Sequence, residues 1–83
     1  MTVLVKTTSD DNNVLVMLGQ RLAGRRITKD LTQAELAERV GVTRKSMNAI
    51  ERGHFVPSTV LALRLATVFG VSVETLFQLP EEV

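Results

Sequence analysis

Apolar residues recur along this chain at helical spacing, in blocks parted by short polar or glycine-bearing breaks. Leu15, Leu18 and Leu22 fall at i, i+3 and i+7, one stripe of a helix, and predict a first helix from Val14 to Ile27. Gly19 and Gly24 interrupt it, each costing about 1 kcal/mol relative to alanine. Ahead of it, Ser9-Asp10-Asp11-Asn12-Asn13 is turn and cap chemistry, with either Asn12 or Asn13 as the N-cap. Thr28-Lys29-Asp30 forms a polar connection.

Thr32 opens a second helix as a capping box, with Glu35 three residues on and an apolar run behind it. Leu36, Ala37 and Val40 form its buried face, and Gly41 stops it in the left-handed conformation that glycine adopts without penalty. Thr43 caps a third helix running through Arg52, with Met47 and Ile50 facing inward and Gly53 beyond its end. His54-Phe55-Val56-Pro57 is a loop, since Pro57 disfavours a helical Val56, with Phe55 and Val56 as packing over it. Ser58 caps a fourth helix through Phe69, stopped by Gly70. Leu61, Leu65, Val68 and Phe69 make one stripe, and Val60, Ala62 and Leu63 widen it, so this helix is central or meets a second partner. Ser72 starts a short fifth helix through Phe77. At the other end, Thr2 to Thr7 is short and β-branched, the pattern of a strand that needs a partner. The expectation is an all-α, five-helix domain over residues 14–79, with an N-terminal extension (1–13) that carries the strand pattern and a C-terminal tail (80–83).

Composition narrows the function. The chain of 83 residues holds one domain, and with three Phe and no Trp or Tyr its core rests on aliphatic side chains. No cysteine is present, which removes disulfides and Cys-ligated metals. His54 is the single histidine, so neither a metal site nor a cofactor is expected. No nucleophile–base pair or phosphate-binding loop suggests an enzyme. No run approaches the ~18 apolar residues of a membrane helix, and the N-terminus lacks the features of a signal peptide. A cytoplasmic protein with no membrane partner is expected. Net charge is +1 but unevenly placed. Arg21 to Arg52 carries eight bases against four acids, a net of +4, and the remainder carries two against five, a net of −3. A basic middle between acidic ends points to nucleic acid.

The second and third helices, joined at Gly41, form the unit that carries this function. Ala37 is small where the two helices cross, and Met47 and Ile50 seat the third against the second. Arg44, Lys45 and Asn48 then project outward, with Ala49 on the flank. Arg and Lys pair with guanine acceptors, Asn binds adenine bidentately, and an Ala methyl meets the thymine methyl. The major groove admits a helix presented in this way.

The stretch Leu31 to Gly53, LTQAELAERVGVTRKSMNAIERG, closely resembles the helix-turn-helix of the Cro/cI (Xre) family, which includes the lambdoid phage repressors. The similarity continues through Pro57 and from Leu63 to Phe77, with Phe69-Gly70-Val71-Ser72 as an LGVS-like turn, and covers residues 14–79. It implies a lambda-repressor-like fold and a transcriptional regulator acting on double-stranded DNA, as repressor or autoregulator. Gln33 matches a glutamine that contacts phosphate and supports the recognition helix. Arg44 and Lys45 match the positions where base readout concentrates, with Asn48 and Ala49 further along the groove. Ser46 matches a phosphate or base contact. Thr43, Arg52 and His54 complete the expected backbone contacts, His54 because loops after recognition helices reach the phosphates. Arg26 and Glu51 match a semi-buried ion pair between the first and third helices. Two departures stand out: Met47 replaces the usual Ile or Val, and Ala49 is short where many members carry a longer polar residue.

Members of the family usually dimerise. Two interfaces are open: the fifth helix with its preceding turn (Val71, Val73, Leu76, Phe77, Leu79), or the Thr2–Thr7 strand paired with its symmetry mate. An alternative function is an antitoxin-type module that binds a protein partner as well as DNA.

Overall fold

The computed structural model describes residues 8–79, which form five helices and no strand: α1 Thr8–Thr28, α2 Gln33–Val40, α3 Arg44–Glu51, α4 Thr59–Phe69 and α5 Val73–Leu76. The Thr2–Thr7 strand pattern lies outside the described residues. α1 begins six residues ahead of the expected Val14, so Asn12 and Asn13 are helical residues and not its caps. No helix among the described residues is long and apolar enough to cross a membrane.

The other four starts follow one local rule. Thr32, Thr43, Ser58 and Ser72 each have extended backbone, and each hydroxyl accepts from the amide three residues ahead, at 3.0, 3.0, 3.1 and 3.1 Å. At Thr32 the box is closed by its own N–H donating to Glu35 Oε1 at 2.8 Å. The stops are equally local. Gly41, at φ +81°, ends α2, with its N–H bonded to Glu38 O and the Val42 N–H to Ala37 O. Asp30, at φ +59°, fills the same role after α1, where Leu31 N–H returns to Arg26 O at 3.1 Å.

Leu22, Leu36, Met47, Leu65, Leu76 and Val40 are the largest fully buried side chains and bring all five helices into one core. Of the expected α1 stripe, only Leu22 is fully enclosed; Leu15 and Leu18 are half-buried. Leu76, expected at a dimer surface, is 1% exposed and belongs to the core. A helix of four residues has one inward position per turn, and α5 spends it on Leu76. Val68 and Phe69 are half-buried against this core, whereas Val60 and Leu63 on α4 are exposed.

α1 crosses the end of α3 at backbone-to-backbone distance. A Cβ on Gly19 would stand 2.6 Å from Ile50 O and closer still to Glu51 O. Reciprocally, a Cβ on Gly53 would stand 2.7 Å from Val16 Cα. Gly19 is therefore a packing requirement and not merely a weak helix former. Gly24 has open space around its missing Cβ. The two glycines are expected to respond oppositely to alanine in urea unfolding. Gly24→Ala gains about 0.5–1 kcal/mol from helix propensity, and Gly19→Ala loses about 1–3 kcal/mol through forced separation of α1 and α3. Equal responses would show that the crossing is looser than described.

Candidate nucleic-acid interface

α3 is held by one face and bare on the other. Met47 and Ile50 are buried, as are Leu36, Ala37 and Val40 on α2, and Ala37 leaves room for the two helices to approach. The opposite face carries Arg44 and Lys45, both exposed, then Asn48 and Ala49, half-exposed. These four share one shallow depression with Arg52 and His54. Arg44, Asn48 and Arg52 recur every four residues and so run along one line of the helix. Ala49 lines the depression among longer polar side chains.

Thr43 and Ser46 stand apart from this depression. Thr43 Oγ1 accepts from Ser46 N–H and donates to Ser46 Oγ, both at 3.0 Å, so the pair caps α3. Ser46 borders a second concavity, which includes Val42, Phe55 and Arg64. Phe55 and Val56 are exposed and do not close over the loop as expected. They border an apolar groove with Leu15, Leu18 and Phe77.

Behind α3, Glu51 gathers three segments. Its side chain is 5% exposed and that of Arg26 13%. Arg26 Nε donates to Oε2 at 2.7 Å and Arg26 Nη2 to Oε1 at 3.1 Å, a two-pronged grip. The third guanidinium nitrogen of Arg26 donates to Leu31 O at 2.8 Å. Gln33 Nε2 donates to the same Glu51 Oε1 at 2.9 Å. Thus α1 and the first residue of α2 meet the last residue of α3 at one carboxylate, and Arg26 ties in the α1–α2 connection.

Two of these contacts were not legible in the sequence. The Gln33–Glu51 bond spans 18 positions and has no local signal. Arg64 on α4 reaches the turn, where Nη1 donates to Val40 O at 3.3 Å, and a Cβ on Gly41 would lie 3.1 Å from that nitrogen. Gly41 thus serves both the left-handed turn and this approach. Glu35 is held below the usual carboxylate range, first by the Thr32 backbone N–H and then by its hydroxyl, with Arg39 adding a smaller effect. It stays ionised as the anionic half of the capping box.

The family model described as Helix-turn-helix matches residues 22–76, from the last third of α1 to the end of α5. The chain belongs to the Cro/cI-like helix-turn-helix family. Among its relatives in this family is an uncharacterized HTH-type transcriptional regulator of Bacillus subtilis, YgzD, 47% identical over 51 residues, which make up 61% of this chain and 77% of that one. Among solved structures, the restriction-modification controller protein C.AhdI from Aeromonas hydrophila superposes with a TM-score of 0.75 at 38% identity, over 82% of this chain and 99% of that one. The clp gene regulator ClgR from Corynebacterium glutamicum superposes with a TM-score of 0.71 at 30% identity, over 76% and 67%.

Removing either partner of the Glu51 pair strands a largely buried charge, at a typical cost of about 3–5 kcal/mol. Arg26→Ala and Glu51→Ala are each expected to lose stability in this range by urea unfolding. The double variant should lose less than their sum, with a coupling of about 1–3 kcal/mol. Strict additivity would show that the pair does not hold α1 to α3.

Proposed function

We propose that the protein is a sequence-specific regulator of transcription that binds double-stranded DNA by laying α3 in the major groove. The observation that carries this reading is the two-sided character of α3. One face is locked to α1 and α2, and the other gathers Arg44, Lys45, Asn48, Ala49, Arg52 and His54 on one surface. Regulators of transcription among its relatives support it. Arg44, Lys45 and Asn48 read base edges, with Ala49 in methyl contact. Arg52 and His54 meet one phosphate strand, and Thr43 and Ser46 approach the other from the start of α3. Gln33, steadied through Glu51, donates its remaining side-chain N–H to a phosphate. With α1 starting at Thr8, the DNA-binding unit spans residues 8–79. The working compartment is the cytoplasm, where the DNA is.

One such domain reads a half-site, and the protein acts as a dimer. The second copy covers the apolar surface where α4 and α5 meet the loop after α3. Phe55, Val56 and Leu63 are exposed there, and Val73 and Phe77 are half-buried beside them. Two recognition helices then meet successive major grooves, about 34 Å apart.

Selection from random duplexes tests both parts together. The expected product is an inverted repeat with half-sites one helical turn apart. Arg44→Ala and Lys45→Ala should each weaken binding to it by about 1–3 kcal/mol with relaxed sequence preference, and Leu63→Glu should recover only a half-site. Unchanged binding by both α3 variants would exclude α3 as the reading helix, and a selected site without repeat would exclude the two-fold arrangement.

A further inference from the structure

Beside the start of α3 lies a second concavity, separate from the depression that holds Arg44 and Lys45. Val42, Ser46, Ser58, Val60 and Arg64 line it, so the α2–α3 turn, α3 and α4 all contribute. Arg64 is the one cation among its lining residues, and no carboxylate is among them. The Arg64 side chain is exposed, and the one ion pair among the described residues is Arg26 with Glu51. This guanidinium therefore has no carboxylate partner within the described part of the chain.

Arg64 has a structural duty that uses little of it. Its Nη1 donates to Val40 O at 3.3 Å. The N–H groups of Gly41 and Val42 turn back to Glu38 and Ala37, so neither meets that carbonyl. Val40 O belongs to the negative end of α2, which attracts the cation and holds it beside the turn. The remaining N–H groups of the guanidinium fork are left for a second acceptor. The hydroxyls nearby are unequal. Thr43 Oγ1 donates its hydrogen to Ser46 Oγ and accepts from Ser46 N–H, both at 3.0 Å. Thr43 thus has no hydrogen left for an anion, whereas Ser46 keeps its own and lines the concavity with Arg64. A cation and a hydroxyl donor on a surface without acids suit an oxyanion with several acceptor oxygens. A backbone phosphate is such a group, and a helix in the major groove runs between two strands of them.

We propose that Arg64, together with the Ser46 hydroxyl, holds one phosphate of the DNA strand that passes the start of α3. The inference rests on α3 as the reading helix and adds a contact from α4 to it. Arg52 and His54 serve one strand, and Arg64 supplies the cation for the other. Because Arg64 also grips Val40 O, the bound phosphate is tied to the turn that sets α3.

Salt dependence separates a phosphate contact from a mere brace on the turn. Each phosphate neutralised on duplex DNA adds about 0.9 to the slope of log K against log salt. With the full chain and the duplex recovered by selection, Arg64→Gln should flatten that slope by about 0.9 per bound copy and leave the preferred sequence unchanged. Arg64→Lys keeps the charge and should keep the slope. A second readout uses the wild-type chain, so that the test survives if Arg64→Gln fails to fold. The Arg64 Nε–H resonance, assigned as the one lost in Arg64→Lys, should shift as the duplex is added. An unchanged slope in Arg64→Gln, equal losses of affinity in both variants at unchanged slope, or an Nε–H resonance unmoved at saturation would overturn the proposal. Each of these would leave α3 as the reading helix, which stands or falls on Arg44→Ala and Lys45→Ala.

Discussion

The Glu51 carboxylate is the contact on which the rest of this structure depends. It is almost sealed from solvent, and a charge so placed is tolerable only when its lone pairs are filled. Arg26 fills two acceptor directions and Gln33 a third. Because the donors come from α1 and α2, satisfying the carboxylate sets where the end of α3 sits. The apolar contacts of Met47 and Ile50 supply most of the burial, but apolar surfaces slide. The charged hydrogen bonds specify one seat.

Backbone proximity adds the second constraint. α1 passes over the last turn of α3 at Gly19, and the turn after α3 passes under α1 at Gly53. Neither contact has room for a side chain. With α3 gripped from behind at both Gly19 and Glu51, its opposite face is committed to solvent. The basic and amide side chains found there are consequences of a mounting, not a patch that happens to be charged.

What was legible in the sequence divides along the same physical line. Caps and stops act within five residues, so Thr32, Thr43, Ser58, Ser72, Gly41 and Gly70 could be assigned from neighbours alone, and the element order followed. The start of α1 was misplaced because Ser9 to Asn13 suits a turn as well as a first helical turn. Leu76 and Phe55 were misjudged for a tertiary reason: hydrophobicity says that a side chain seeks burial, not which of several apolar residues finds the core. The outward face of α3 was readable because helical periodicity separates it from Met47 and Ile50. Gly19, Gln33 to Glu51, and Arg64 to Val40 were not, since each depends on distant segments meeting.

In the proposed mode of binding, α3, mounted from behind, is the surface that meets DNA. The most direct measurement is amide chemical-shift mapping during titration of the full chain with a duplex obtained by selection. The largest shifts are expected at residues 43–54, with Gln33 as their outlier on α2, while the interior amides around Leu22 and Leu65 hold still. Largest shifts on α4 and α5, with α3 unmoved at saturation, would contradict it.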